Sequence, residues 1–308
     1  MTGRTVHALR AIYVLTALML VGGCGGSRAA VSDGAVAIDG RKLVVHCIGT
    51  GSPTIVLDAG LGDSSSRWAG IQRRIAGISR VCAYDRLGEG ESDAPPGPQT
   101  VADQGETLNR LLEAAGWQGP FVFLGHSWGG AIDQVFARDH LDEVAGMVLI
   151  DSSVADQVRK WLKLIPPKPK SGVDPFDQIR AELTDTLGST QTSEQLRWGP
   201  SDPELRRLTT LDGRPLVVLT AGTLGLTFPT VSLQTRAYAI WLELHHRLST
   251  VSSNAVEAIA QYSGHYIYES QPDLVVAAIR ATVQAARDHA PLPSCQTVFR
   301  GHAGVECR

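Results

Sequence analysis

No two cysteines in this 308-residue chain stand at C-x-x-C spacing, and no His/Cys cluster has the spacing of metal ligands, so neither a metal site nor a cofactor is expected. An excess of one charge is also missing. With 28 Lys and Arg against 31 Asp and Glu the net charge is -3, which gives no electrostatic bias toward nucleic acid. The apolar run Ala11 to Val21 is too short to cross a bilayer as a mature helix, a task that takes about 20 residues. What is present is 43% hydrophobic residues, enough for a full-sized core and, at this length, for one domain carrying an insertion.

Arg4 and Arg10 precede the apolar run, the order found in a secretory signal. Val21-Gly22-Gly23-Cys24 closes it and resembles the lipobox of bacterial lipoproteins. That resemblance implies a signal peptide over 1–23, a lipidated Cys24, a membrane partner reached through the lipid, and an extracytoplasmic location. Residues 24–34, small and polar without periodicity, read as a flexible tether. Four cysteines remain, Cys47, Cys82, Cys295 and Cys307, and an even number in an exported chain is economically read as two disulfides.

Along the chain, Ala35 to Ile38 and Arg41 to Ile48 flank the hairpin turn Asp39-Gly40. Thr54 to Asp58 is a third strand and opens into Ala59-Gly60-Leu61-Gly62-Asp63-Ser64, a loop able to aim backbone N–H groups into a pocket. Arg67 to Ile78 is an amphipathic helix, Arg80 to Asp85 a fourth strand, and Thr100 to Ala115 a helix that cannot start earlier because Pro95, Pro96 and Pro98 precede it. Gly146 to Asp151 is a buried strand ending in a carboxylate. From Ser152 to Gly213 the pattern turns polar and proline-interrupted, as in an inserted helical cap. Strands resume at Pro215 to Thr220 and Ala255 to Gln261, with helices over Ser232 to Leu248 and Asp273 to Asp288. Strands alternating with helices imply an α/β fold with a mostly parallel sheet covered on both faces.

The chemistry is concentrated at Gly125-His126-Ser127-Trp128-Gly129-Gly130, where an apolar strand is broken by a serine between glycines before a helix begins. This G-x-S-x-G spacing fits a nucleophile elbow, with the serine at a strained strand-to-helix corner. Together with Asp58-Ala59-Gly60-Leu61-Gly62, Tyr84-Asp85-Arg86-Leu87-Gly88-Glu89-Gly90-Glu91-Ser92 and Ser263-Gly264-His265, all in order, it resembles the α/β-hydrolases of the single-domain esterase and peptidase kind over residues 35–290. The resemblance implies eight strands, a cap over the active site within 152–213, and a C-terminal tail over 291–308.

By that resemblance Ser127 is the nucleophile and His265, in a loop after the last strand, its base. His126 is expected to pack or hydrogen-bond beside the elbow, and His245 and His246 to lie at the surface or against the cap. The family commonly places its acid after the seventh strand, but Ala221 to Leu242 contains no carboxylate. Asp151 is therefore favoured, at a position some hydrolases of this fold use, with Glu243 as the weaker substitute; aspartate before two serines is also a good turn starter. Asp58, Asp85 and Asp93 fall in loops that support the mouth in this family. The oxyanion donors are Trp128 N–H, by elbow geometry, and Leu61 N–H, by resemblance. A serine at the elbow separates the chain from the aspartate-nucleophile haloalkane dehalogenases and epoxide hydrolases.

The expected substrate is a small acyl compound, a carboxylic ester of small to medium size. An aminopeptidase-like amide hydrolase and a non-catalytic lipoprotein that uses the fold as a binding scaffold are the other readings. Trp161, Trp198 and the cap leucines could line an apolar pocket or simply bury the cap. In the fold it resembles, the second and fourth strands are neighbours, which implies Cys47 to Cys82 and leaves Cys295 to Cys307 in the tail.

Overall fold

The computed structural model describes Met1 and residues 30–308; Cys24 and the signal-like run lie outside the described residues. The strands are β1 (Asp33–Ile38), β2 (Arg41–Ile48), β3 (Ile55–Asp58), β4 (Val81–Tyr84), β5 (Phe121–His126), β6 (Val144–Ile150), β7 (Leu216–Ala221), β8 (Ala255–Ala260) and β9 (Val305–Cys307). They form one sheet in the order β1-β2-β4-β3-β5-β6-β7-β8-β9. Pairing is antiparallel at β1/β2, β2/β4 and β8/β9 and parallel elsewhere.

The helices are α1 (Ala69–Ile75), α2 (Val101–Ala114), α3 (Trp128–Asp139), α4 (Gln157–Leu162), α5 (Asp177–Gly188), α6 (Trp198–Leu205), α7 (Val231–Ser249), α8 (Ile267–Ser270), α9 (Pro272–Asp288) and α10 (Cys295–Val298). The start of α2 is set by Thr100, whose hydroxyl accepts from Asp103 N–H while Asp103 reaches back to Thr100 N–H.

Because side chains alternate along a strand, each central strand feeds two cores. Phe121 and Phe123 of β5 join α2, α3 and α7 on one face, while Val122 and Leu124 join α1 and α9 on the other. Leu274, Ile279 and Val283 of α9 are fully buried there, each contributing about 1.5–3 kcal/mol. With both faces covered, the catalytic possibilities concentrate at the carboxyl ends of β3, β5 and β6 and in the loop after β8.

The sheet has nine strands where eight are expected. The extra one, β9, comes from the tail: Val305, Glu306 and Cys307 pair with Ala260, Ile259 and Ala258, and the Cys295–Cys307 disulfide ties β9 to α10. The edge of β8 offers unpaired backbone groups, and this short tail strand satisfies them. Cys47 and Cys82 are direct register partners on β2 and β4 and are disulfide-bonded, with their Cα atoms 4.0 Å apart. Helices α4, α5 and α6 occupy the stretch between β6 and β7 and stand over the sheet's carboxyl end.

Candidate active site

Ser127 sits between β5 and α3 with φ 52°, a left-handed conformation that costs a non-glycine residue about 1–3 kcal/mol. The three glycines around the turn have no room for a side chain. A Cβ on Gly125 would strike Gly130 and Asp133, one on Gly129 would strike the Asp58 and Ala59 carbonyls, and one on Gly130 would strike Ser152. The elbow is thus wedged between β3 and the start of the segment after β6.

His265 Nε2 lies 2.9 Å from Ser127 Oγ, and His265 Nδ1 lies 2.7 Å from Asp151 Oδ2. An ionised Asp151 only accepts, so the proton sits on Nδ1 and Nε2 is left to accept from the serine hydroxyl. Asp151 Oδ1 accepts from Ala221 N–H at 2.9 Å and from Trp241 Nε1–H at 2.8 Å. Burial alone would push this carboxyl up; the His265 hydrogen bond and charge, with His245 and the Ala221 amide, outweigh it and hold it below the usual range.

His126 is buried, its Nε2 lies 3.0 Å from the His265 carbonyl, and its ring packs 4.5 Å from the His265 ring. Burial, then the neighbouring His265, push its pKa down to about 3, so it stays neutral beside the site. His245, expected at the surface or against the cap, is fully buried. Helix α7 turns that face inward, and the ring meets Trp241 edge to face with centroids 4.1 Å apart while Nδ1 meets the Trp241 carbonyl. His246 is exposed and pairs with Glu257. Glu243 is exposed and bound to Lys160, so the structure does not bring it to His265.

Ser127 and His265 open onto a cavity of about 260 Å³ that Leu61 and Trp128 also line. Its walls come from Trp161, Leu183 and Trp198 of the inserted segment and from Leu224, Leu226 and Trp241. Trp128 N–H is at the first position of α3, where no intrahelical acceptor exists, and Leu61 N–H has no backbone acceptor among the described residues. Asp85 takes hydrogen bonds from Ser65 and Glu91 amides and Asp93 from Lys42, both shaping loops rather than reaching the cavity. Among the described residues no group of three or more His, Cys, Asp or Glu is arranged to hold a metal ion.

A family model described as alpha/beta hydrolase fold matches residues 53–266. The chain belongs to that family. The chain is 27% identical over 237 residues to an uncharacterized Bacillus subtilis protein, YqjL, covering 76% of this chain and 85% of the other. It is 33% identical to a haloalkane dehalogenase of Sphingobium indicum over 156 residues, 49% of this chain and 50% of the dehalogenase. Among solved structures, a thermophilic esterase from Thermogutta terrifontis superposes with a TM-score of 0.55 at 21% identity, covering 84% of this chain and 99% of that one, a likeness of fold. Two features of this α/β-hydrolase were not read from the motifs: the Trp241 indole on Asp151, and Glu194, which closes a buried cluster on Arg86 of the Tyr84 to Ser92 motif beneath the Leu61 loop.

Proposed function

We propose that this α/β-hydrolase is a serine hydrolase that cleaves a carboxylic ester of small to medium size through an acyl-enzyme on Ser127. The observation that carries the reading is the continuous path Ser127 Oγ, His265 Nε2, His265 Nδ1, Asp151 Oδ2, at 2.9 and 2.7 Å, opening onto an apolar cavity. A serine hydroxyl is a weak nucleophile until a base removes its proton in the attack. In the proposed reaction Ser127 Oγ bonds to the acyl carbon as His265 Nε2 takes the hydroxyl proton. The charge on the former carbonyl oxygen is received by the Leu61 and Trp128 amides, one such donor being worth about 3–4 kcal/mol. His265 then protonates the leaving alkoxide. Water, deprotonated by the same nitrogen, releases the acid and restores Ser127.

The cavity, at about 260 Å³, lies just under the roughly 300–1,000 Å³ of common ligand sites, which supports a short acyl or alcohol portion over a long chain. A serine at the elbow supports acyl transfer over carbon–halogen displacement. A fluorophosphonate probe should label the wild type and leave Ser127→Ala unlabelled, and His265→Ala should lose nearly all ester hydrolysis. A folded wild type that takes no label defeats the reading, and a panel of esters against aminoacyl arylamides tests the preference for esters.

The mature protein is proposed to be lipid-anchored through Cys24 outside the cytoplasm. Support comes from Arg4, Arg10 and the Ala11 to Val21 run before it, and from two disulfides, which persist in oxidising compartments. Cys24→Ala should release the protein from the membrane fraction, and an unmodified Cys24 by mass spectrometry would refute the anchor.

A further inference from the structure

Beneath the Leu61 loop lies an ionic cluster, sealed from solvent, whose members touch none of the reacting atoms. Arg86 is 4% exposed and Glu194 and Asp58 are 0% exposed. The guanidinium is fully used. Nη1 donates to Asp58 Oδ1 at 2.8 Å and to the Ala59 carbonyl at 2.5 Å, Nη2 to the Gly60 carbonyl at 2.6 Å and to Glu194 Oε1 at 2.7 Å, and Nε to Glu194 Oε2 at 2.8 Å. Burial drives the Asp58 pKa up to about 6 even though Arg86 and Tyr84 pull it down, a measure of how dry the cluster is.

The geometry converges on the loop that carries the Leu61 amide and on the side chain of Trp128, whose backbone N–H is the other amide assigned to the oxyanion. Leu61 is flanked by Gly60, whose carbonyl Arg86 holds, and by Gly62, whose N–H donates to Glu194 Oε1 at 3.3 Å. Glu194 Oε2 also accepts from Gln104 Nε2 at 2.6 Å, and Gln104 Oε1 accepts from Trp128 Nε1 at 2.6 Å. One carboxylate therefore braces the Leu61 loop on one side and the Trp128 side chain on the other. That carboxylate belongs to the inserted segment between β6 and β7, not to the sheet. The segment is stitched down around it: Gln99 Nε2 donates to the Glu194 carbonyl, Gln99 N–H to the Gln195 carbonyl, and Arg197 N–H to the Gln99 carbonyl. Gly88 has no room for a side chain because Ser193 and Glu194 backbone atoms press against it.

A buried ion pair is poor support for stability, since an apolar substitute of similar volume often serves equally well. Its use here is geometric. Oxyanion donors act only if they are already aimed, and a fixed backbone needs partners on both sides of the donor. We propose that Glu194 is a positioning residue which, through Arg86, Gly62 and Gln104, holds the Leu61 and Trp128 amides in the orientation that receives the oxyanion, so that docking of the inserted segment completes the oxyanion hole. This rests on the serine-hydrolase reading above.

The test uses the full chain, with working sites counted by fluorophosphonate titration so that every rate is per labelled serine. Glu194→Gln keeps size and some hydrogen bonding but loses the charge; it is expected to lower kcat about 10- to 100-fold with KM within about 3-fold. Affinity for a trifluoromethyl ketone, which forms an oxyanion on Ser127, should fall in parallel with kcat/KM. Gln104→Met leaves the Arg86 to Glu194 pair intact and should lower kcat about 3- to 10-fold in the same pattern.

Wild-type kcat per site in Glu194→Gln, or a loss of kcat with undiminished ketone affinity, overturns the proposal. If Glu194→Gln does not fold, Gln104→Met decides by the same two readouts, wild-type values counting against the proposal. A wild-type protein that neither labels nor hydrolyses esters sinks the reaction itself and this inference with it, an outcome separate from any result in the variants.

Discussion

Asp151 and Asp133 are two aspartates withdrawn from solvent to the same degree, 1% and 0% exposed, on either side of the elbow, and their pKa values are shifted in opposite directions. At the end of β6, Asp151 receives His265, Trp241 and the Ala221 amide, and is held below the usual carboxyl range despite its burial. In the middle of α3, Asp133 has no protein partner for either oxygen among the described residues. Burial, then the nearby Asp58, push it well above that range. Depth alone does not make a buried carboxylate an anion; the number of donors aimed at it does.

The largest effect that would test this contrast is on Asp151. Asp151→Asn should cut ester turnover on the order of 10⁴-fold, because an amide in that place no longer selects the tautomer with the proton on His265 Nδ1. Asp133→Asn should leave turnover within about 3-fold, and an equal loss in both variants would erase the distinction. Trp241→Phe removes one donor from Asp151 while keeping an aromatic ring. A fall of about 10-fold in kcat is expected, with little further loss when it is combined with Asp151→Asn. Full additivity would show that the indole acts through the cavity wall instead.

Stability separates the two aspartates by pH. A carboxyl raised on folding, like Asp133, contributes stability that is complete below its unfolded value near 4 and is lost as pH rises through the folded value. Asp133→Asn should therefore gain on the wild type as pH increases above 4, by up to about 1.4 kcal/mol per pH unit, read from urea midpoints. His126 runs the other way. Its contribution is complete above about 6.5 and is lost as pH falls from there toward its folded value of about 3, so His126→Leu should flatten the acid side of the stability profile. The smallest effect belongs to Glu243→Gln: with its carboxylate on the surface beside Lys160, turnover should stay within about 2-fold. A large loss there would return the acid role to Glu243.

Much of the site was legible because it is written in local signals. The glycines around Ser127, the loop before the last long helix that holds His265, and the absence of any carboxylate from Ala221 to Leu242 are all properties of short stretches. Backbone sterics and strand-end geometry act over a few residues, so spacing reports them. His245 was left open between the surface and the cap because helical periodicity in α7 tells that a face is buried but not that a histidine can share it with Trp241. The strand β9 was missed because three residues in a proline- and glycine-rich tail carry no period, and only the open edge of β8 gives them a partner.

The sequence by itself determined the alternation of strands and helices, the glycine-flanked elbow at Ser127 and the cysteines available for bonding, and it favoured Asp151 over Glu243 as the partner of His265. Tertiary structure alone decided that Trp241, 90 residues from Asp151, donates to it, and that Glu194, 108 residues from Arg86, closes the cluster under the Leu61 loop. The physical reason is one of range. Turn and period preferences are set by neighbours along the chain, whereas a buried donor or carboxylate is selected by the desolvated groups it meets once the inserted segment and α7 have packed against the sheet.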